Sequence, residues 1–307
     1  MSSSSSSWSE SVNLRRVSVY GVLVVMVMFY LAPLETGLMT AFKTQNAFFS
    51  TTPFAPPPAD GVTVQPWAAA LDRLGPGVVN SLLFAVPATM LSALFGSMAA
   101  YGMTNLNWKY QVGVLSLFVA GVFIPYQSVL VPLTRFWSMV DVASLLASIA
   151  GLLSFVPLVP GLFSAAADRA GLIELGVTHA AYGIPICTVL FRGYYLSLDD
   201  EMLEAARLDG ASPARIYRKI VLPLSKPMFA VTLIYQFTNI WNDLLFALVL
   251  VSDPSNAPVT IALNTLKGSM VQQYNVQMAG AFIAALPTLV IYVLFGEQFA
   301  KGVAGET

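Results

Sequence analysis

The chain has 307 residues, of which 56% are hydrophobic and only 10% charged, and its net charge is −1. A soluble domain carries about 25% charged residues to face water, so this composition calls for lipid as solvent. The near-zero charge argues against nucleic acid as a partner, and one cysteine (Cys187, read as packing) with one histidine rules out an internal disulfide or the usual His/Cys metal cluster.

Taken in chain order, residues 1–16 are serine-rich (Ser2 to Ser7, then Trp8) and form no core, so a disordered cytoplasmic N-terminus is expected. Arg15 and Arg16 then precede an apolar run from Val17 to Ala32. That run is longer than a signal peptide's apolar region and no A-x-A site follows it, so it reads as a retained first span with a basic inner anchor. Crossing the hydrocarbon takes roughly 20 apolar residues. Six stretches meet that test: Val17–Phe42, Val79–Met103, Val112–Phe136, Ile173–Leu196, Met228–Val251 and Met278–Phe299. The expected fold is therefore an all-α integral membrane protein, six-span, with a transmembrane domain over 17–299 and a cytoplasmic tail over 300–307. With the N-terminus inside, ten of the fifteen Lys and Arg residues fall on the inner side and five on the outer, the bias expected of cytoplasmic loops.

Between these spans, 43–76 forms a long outer loop whose Pro53, Pro56, Pro57 and Pro58 suggest loosely ordered spacer. A second outer loop covers 252–276. The stretch 144–167 is apolar but interrupted by Pro157 and Pro160, so it reads as an outer-face re-entrant or interfacial insert. His179, near the outer end of the fourth span, has no acidic neighbour in sequence and reads as a hydrogen-bonded structural residue. Tyr126, Gln127, Asn80 and Ser81 are weaker pathway candidates.

The inner loop 197–223, SLDDEMLEAARLDGASPARIYRKIVLP, reads as two short helices with a sharp turn. Ser197 with Asp200 resembles a capping box, Gly210 supplies a left-handed stop, and Ser212 with Pro213 starts the second helix. The result is an exposed helical knob suited to docking. In the fifth span, Thr232, Gln236, Asn239 and Asp243 recur at steps of four, three and four, which keeps them on one helix face, with Trp241 and Asn242 beside them. Amide and carboxylate groups next to an aromatic ring suit sugar recognition, and polar pairing between helices explains them equally well.

The loop's fixed positions are Glu204-Ala205-Ala206, Gly210 and Ile220-Val221-Leu222-Pro223. In them the chain resembles the permease subunits of binding-protein-dependent ABC importers. Gln236–Leu250 is similar to the carbohydrate-uptake branch, and Tyr182–Tyr195 with Ala257–Gly268 is most similar to glucose/mannose-type permeases. The resemblance implies a second permease subunit, two ATPase subunits that hold ATP and Mg, and an external sugar-binding protein; it implies no cofactor in this chain. It also implies that Glu204, Ala205, Ala206, Asp209 and Gly210 form the ATPase-coupling surface. There Glu204 offers a carboxylate, the alanines keep the helix slim and Gly210 permits the turn. Gln236, Asn239, Trp241, Asn242 and Asp243 are the candidate substrate pathway. The insert at 144–167 departs from the family pattern. An ion-gradient-driven secondary transporter is the alternative, but no repeat and only one intramembrane acid support it. No catalytic motif and no GxxxxGK[ST] phosphate loop occurs.

Overall fold

The computed structural model describes residues 14–106, 108–266 and 273–304. The serine-rich head with Trp8, the segment holding Lys267 and Gly268, and the last three residues of the tail lie outside the described residues. Contacts divide the chain into two units, Met1–Ala70 with Met270–Phe282, and Leu71–Ser269 with Ile283–Thr307.

In the first unit, helix α1 (Leu14–Ala41) has 28 residues, about 42 Å at 1.5 Å per residue, longer than the ~30 Å hydrocarbon core. Every residue from Arg16 to Leu31 is exposed, and this stretch is almost wholly apolar, as a surface wetted by lipid or by another membrane helix must be. Near its end Gly37 lets the chain approach Phe282, whose ring would stand 3.4 Å from an added Cβ. The Pro-rich loop is folded, contrary to the expectation of loose spacer. Helix α2 (Gln45–Ser50) is capped by Thr44, and Lys43 bridges to Val62. Thr44 N–H donates to Gly61 O, and Thr63 N–H to Phe42 O, at 2.8 and 2.9 Å. Lys43 is buried, with Nζ donating to Thr52 O at 2.9 Å. Prolines lack the donor of a regular helix, yet here backbone and lysine bonds to nearby carbonyls tie the segment down.

The second unit holds most of α3 (Gln65–Asn105), then α4 (Gln111–Val122), α5 (Tyr126–Val140), α6 (Val142–Leu152), α7 (Val159–Ala167) and α8 (Ala170–Tyr195). Next come α9 (Asp200–Leu208), α10 (Pro213–Ile216), a π turn at Tyr217–Val221 and α11 (Leu222–Leu224). They are followed by α12 (Lys226–Trp241), α13 (Leu245–Leu250), α14 (Val259–Thr265) and the greater part of α15 (Tyr274–Ala304). Among the described residues five helices are long and apolar enough to span, or six if the pair bent by 75° at Ser225 counts as one.

Two expected spans are broken. The third divides between α4 and α5 at Phe123–Pro125, because Pro125 is extended (ψ 142°) and has no N–H for a continuing helix. The fifth divides between α12 and α13 at Asn242–Leu244. The insert at 144–167 forms a helical hairpin, α6 against α7, turned at Leu158 in the left-handed region (φ 69°). Helix α7, at 9 residues, reaches about 14 Å and does not cross the hydrocarbon alone. Helix α6, however, continues α5 in one apolar stretch, Tyr126–Leu152, whose 27 residues are long enough to span, which corrects the reading of 144–167 as wholly re-entrant or interfacial. Asp141 (φ 43°) joins α5 to α6 and caps the latter by accepting from Ser144 N–H at 3.1 Å.

The core of this unit has two clusters. One gathers Phe84, Leu175, Phe237, Ile240, Trp241 and Phe246; the other gathers Ala100, Phe191, Tyr195, Leu203, Ile216 and Val221. Between them α3 and α8 cross closely at Gly96, where any side chain would overlap Cys187. Cys187 is fully buried at that crossing, a packing position.

Candidate functional site

The first candidate region is the knob. Helix α9 starts at Asp199, whose carboxylate accepts from Glu201 N–H at 2.9 Å. This corrects the expectation that Ser197 caps it: Ser197 Oγ donates backward to Tyr194 O at 2.7 Å, finishing α8. A carboxylate at the N-terminus suits the helix dipole better than a hydroxyl. Gly210 has φ 77°, and Ser212 accepts from Arg215 N–H with Pro213 at the first helical position, as the spacing implies.

The knob has a fixed base and a bare tip. Leu203, Ile216 and Val221 are buried among residues of α3, α8 and α12. By contrast Glu204, Ala205, Asp209 and Gly210 are exposed, and Ala206 is half-buried. Two residues that motif reading missed complete it. Arg207 Nη2 donates to Asn105 O at 3.0 Å, setting a cation on the carbonyl end of α3. Leu208 is 89% exposed, an apolar side chain held out at the tip where nothing in the unit covers it. Only the spatial proximity of α3 reveals the first; the second is visible in sequence only as a leucine on the wrong face of an amphipathic helix.

The second region surrounds the break between α12 and α13. Asp243 is buried, and its Oδ2 accepts from Phe246 N–H and Ala247 N–H at 3.1 and 3.3 Å, capping the first turn of α13. The same oxygen lies 3.3 Å from His179 Nε2, with both side chains at least 96% buried. His179 Nε2 makes no aligned hydrogen bond, so the two groups are held close by the packing around them. His179 therefore does have an acidic neighbour, supplied by another helix. It stacks on Phe84 at 6.0 Å and meets Phe246 edge-on at 5.3 Å.

Beside the pair lies a cavity of about 180 Å³ whose polar lining includes Tyr126, His179, Tyr182, Tyr235, Gln236 and Asn239. The structure thus brings Gln236 and Asn239 together with His179. Gln236 is buried and packs so tightly on Gly183 that any side chain there would strike its amide and Ser92. Asn239 is exposed and donates to Tyr235 O at 2.8 Å. Asn242 is exposed and donates to Thr238 O at 2.8 Å. Trp241 turns the other way: it is 2% exposed, stacks on Phe237 and donates through Nε1 to Ala284 O at 2.9 Å, within the apolar cluster. Of the weaker candidates, Asn80 donates to Ser255 O and Ala257 O, and Ser81 accepts from Val259 N–H, so both fasten the segment before α14. Gln127 is exposed, whereas Tyr126 stacks on Phe246 with centroids 4.7 Å apart.

Spanning helices interrupted at polar turns, a buried His–Asp contact at one of them and a projecting helical knob are the features on which the comparison with known proteins bears. The chain belongs to the family described as the binding-protein-dependent transport system inner membrane component, whose pattern matches residues 92–296. It is a permease subunit of an ABC importer. It is 50% identical over 300 residues to the xylose/arabinose import permease protein of Haloferax volcanii, covering 97% of this chain and 94% of that one. It is 28% identical to the glucose import system permease protein of Saccharolobus solfataricus, covering 92% and 91%. In fold it is similar to a bacterial ABC transporter involved in the import of the acidic polysaccharide alginate, with a TM-score of 0.67, 17% identity, and 95% and 99% of the two chains covered.

Proposed function

We propose that this chain forms half of the sugar pathway of an ATP-driven importer and that its cargo is a monosaccharide, a pentose such as xylose or arabinose ahead of glucose. The 50% identity to a xylose/arabinose permease carries the cargo reading, and it displaces the glucose/mannose preference that short sequence segments suggest, since the glucose permease is 28% identical. In this reading both termini and the knob face the cytoplasm, in keeping with the basic residues around the knob.

Two ATPase subunits hold ATP and Mg. The exposed tip from Glu204 to Gly210 enters a cleft on one of them, with Glu204 opposite a basic group there. A second permease subunit completes the pathway, and an external binding protein delivers the sugar. Gln236 and Asn239, which share the cavity with His179, line the route, and Asn242 and Asp243 follow at the helix break. The test is reconstitution of all subunits in proteoliposomes with ATP enclosed. ATP-dependent uptake of labelled xylose and arabinose exceeding that of glucose supports the reading. Uptake that needs an ion gradient and no ATPase would replace it with secondary transport.

A further inference from the structure

The base of the knob contains a chain of hydroxyls drawn from four elements, three of them buried and that of Tyr217 half-buried. Tyr217 opens the π turn after α10, Ser97 lies inside α3, Tyr195 ends α8, and Ser225 sits at the 75° bend before α12. Ser97 Oγ is 2.9 Å from the Tyr217 hydroxyl and 2.6 Å from the Tyr195 hydroxyl. Ser225 Oγ is 3.4 Å from the Tyr195 hydroxyl and donates to Val221 O at 2.5 Å. Ser97 and Ser225 are completely buried, Tyr195 nearly so, and Phe191, Ala93, Ala100 and Met228 surround them.

Each hydroxyl has one proton to give. The Ser225 proton goes to Val221 O, with the Tyr195 hydroxyl as its longer second acceptor, and from there Tyr195 can give its proton to Ser97 and Ser97 its own to Tyr217. The π turn fits this closure. Pro223 has no N–H to offer the preceding turn, and Leu222 N–H reaches back five residues to Tyr217 O, a widened turn of the kind found at functional sites. Three further bonds fasten the loop to the same helices: Tyr101 to Pro213 O at 3.0 Å, Arg207 to Asn105 O at 3.0 Å and Tyr194 to Leu224 O at 2.7 Å.

We infer that this hydroxyl chain, centred on Ser97, is the joint through which displacement of the knob moves α3, α8 and α12. The inference rests on the importer reading above. At Ser97, Tyr195 and Ser225, which are buried, a displaced hydroxyl finds little water to replace its partner, so α3, α8 and the bend before α12 keep their relation, and the half-buried Tyr217 ties the knob to them. Ser97 and Tyr217 are thus positioning residues: they touch neither ATPase nor sugar, and they set how faithfully one is converted into the other.

The experiment uses the full complex in proteoliposomes and reads three quantities for native chain, Ser97→Ala and Tyr217→Phe: ATPase association, ATP hydrolysis and sugar imported per ATP. Both variants are expected to keep association and hydrolysis while import per ATP falls about five-fold, within the range that such couplings carry. The double variant should fall no further than either single one, because the two residues share one chain. Native-like import per ATP in Tyr217→Phe, which removes one peripheral hydroxyl and leaves the ring in place, overturns the joint even if Ser97→Ala fails to assemble. Parallel loss of association and import in both variants also overturns it, since that marks a merely structural role. A native complex that hydrolyses no ATP on sugar delivery would instead bring down the importer reading itself.

Discussion

The knob and the α12–α13 break solve opposite problems. The knob holds polar and apolar groups out of the fold at its tip, while Leu203, Ile216 and Val221 and a few hydrogen bonds anchor its base. The break holds polar groups in, and Asp243 serves two capping bonds and one histidine at once. Side chains at the tip should therefore be replaceable without loss of fold, whereas those at the break should not.

The largest effect should come from Asp243→Leu. It removes both capping bonds and the carboxylate beside His179, leaving buried N–H groups without partners, and it should cost about 3 kcal/mol, read as a lowered midpoint in detergent unfolding. Stability equal to the native chain would erase the contrast between the two regions. Next comes Gly210→Val at the tip: a β-branched residue at φ 77° should strain the turn by about 1–2 kcal/mol, detected as faster amide exchange confined to the loop. Global destabilisation instead would show that the knob is not a separable module.

Arg207→Gln should loosen the knob's hold on the end of α3 by about 0.5–1 kcal/mol, with more salt sensitivity in the native chain than in the variant. The smallest effect concerns Asp253, whose pKa is lowered first by the backbone N–H of Ser255 and then by its side chain. A depressed carboxylate stabilises its turn above the ordinary carboxylate value and loses that contribution as pH falls through the folded value. Protection of the Ser255 amide, measured against its intrinsic exchange rate, should therefore be present at neutral pH and be lost on acidification below the ordinary carboxylate range.

How far each region can be read in the sequence follows from where its partners lie. The knob's turn, its second cap and its exposed tip are set by neighbours within a few residues, so Gly210, Ser212 and Pro213 announce them. The first cap was misplaced by two residues because Tyr194 competes for Ser197, a contact that helix periodicity does not express. The span count was legible from apolar length, but the division of the third and fifth spans was not. Pro125 occurs among prolines that helices elsewhere in the chain absorb, and the fifth span breaks at Asp243 without proline or glycine. The periodic stripe placed Gln236 and Asn239 on one face, yet the burial of Trp241 in the opposite cluster and the approach of His179 depend on how α8, α12 and α15 pack. Those are long-range contacts, and a single sequence carries no direct signal of them.

The most direct measurement compares the native chain with Glu204→Ala, co-expressed with partner permease and ATPase, for thermal midpoint and for ATPase recovered on purification. Glu204 is exposed and makes no ion pair among the described residues. The account therefore predicts an unchanged midpoint together with loss of most of the bound ATPase and of sugar-stimulated hydrolysis. Full retention of the ATPase and its stimulation would contradict the knob as the coupling surface.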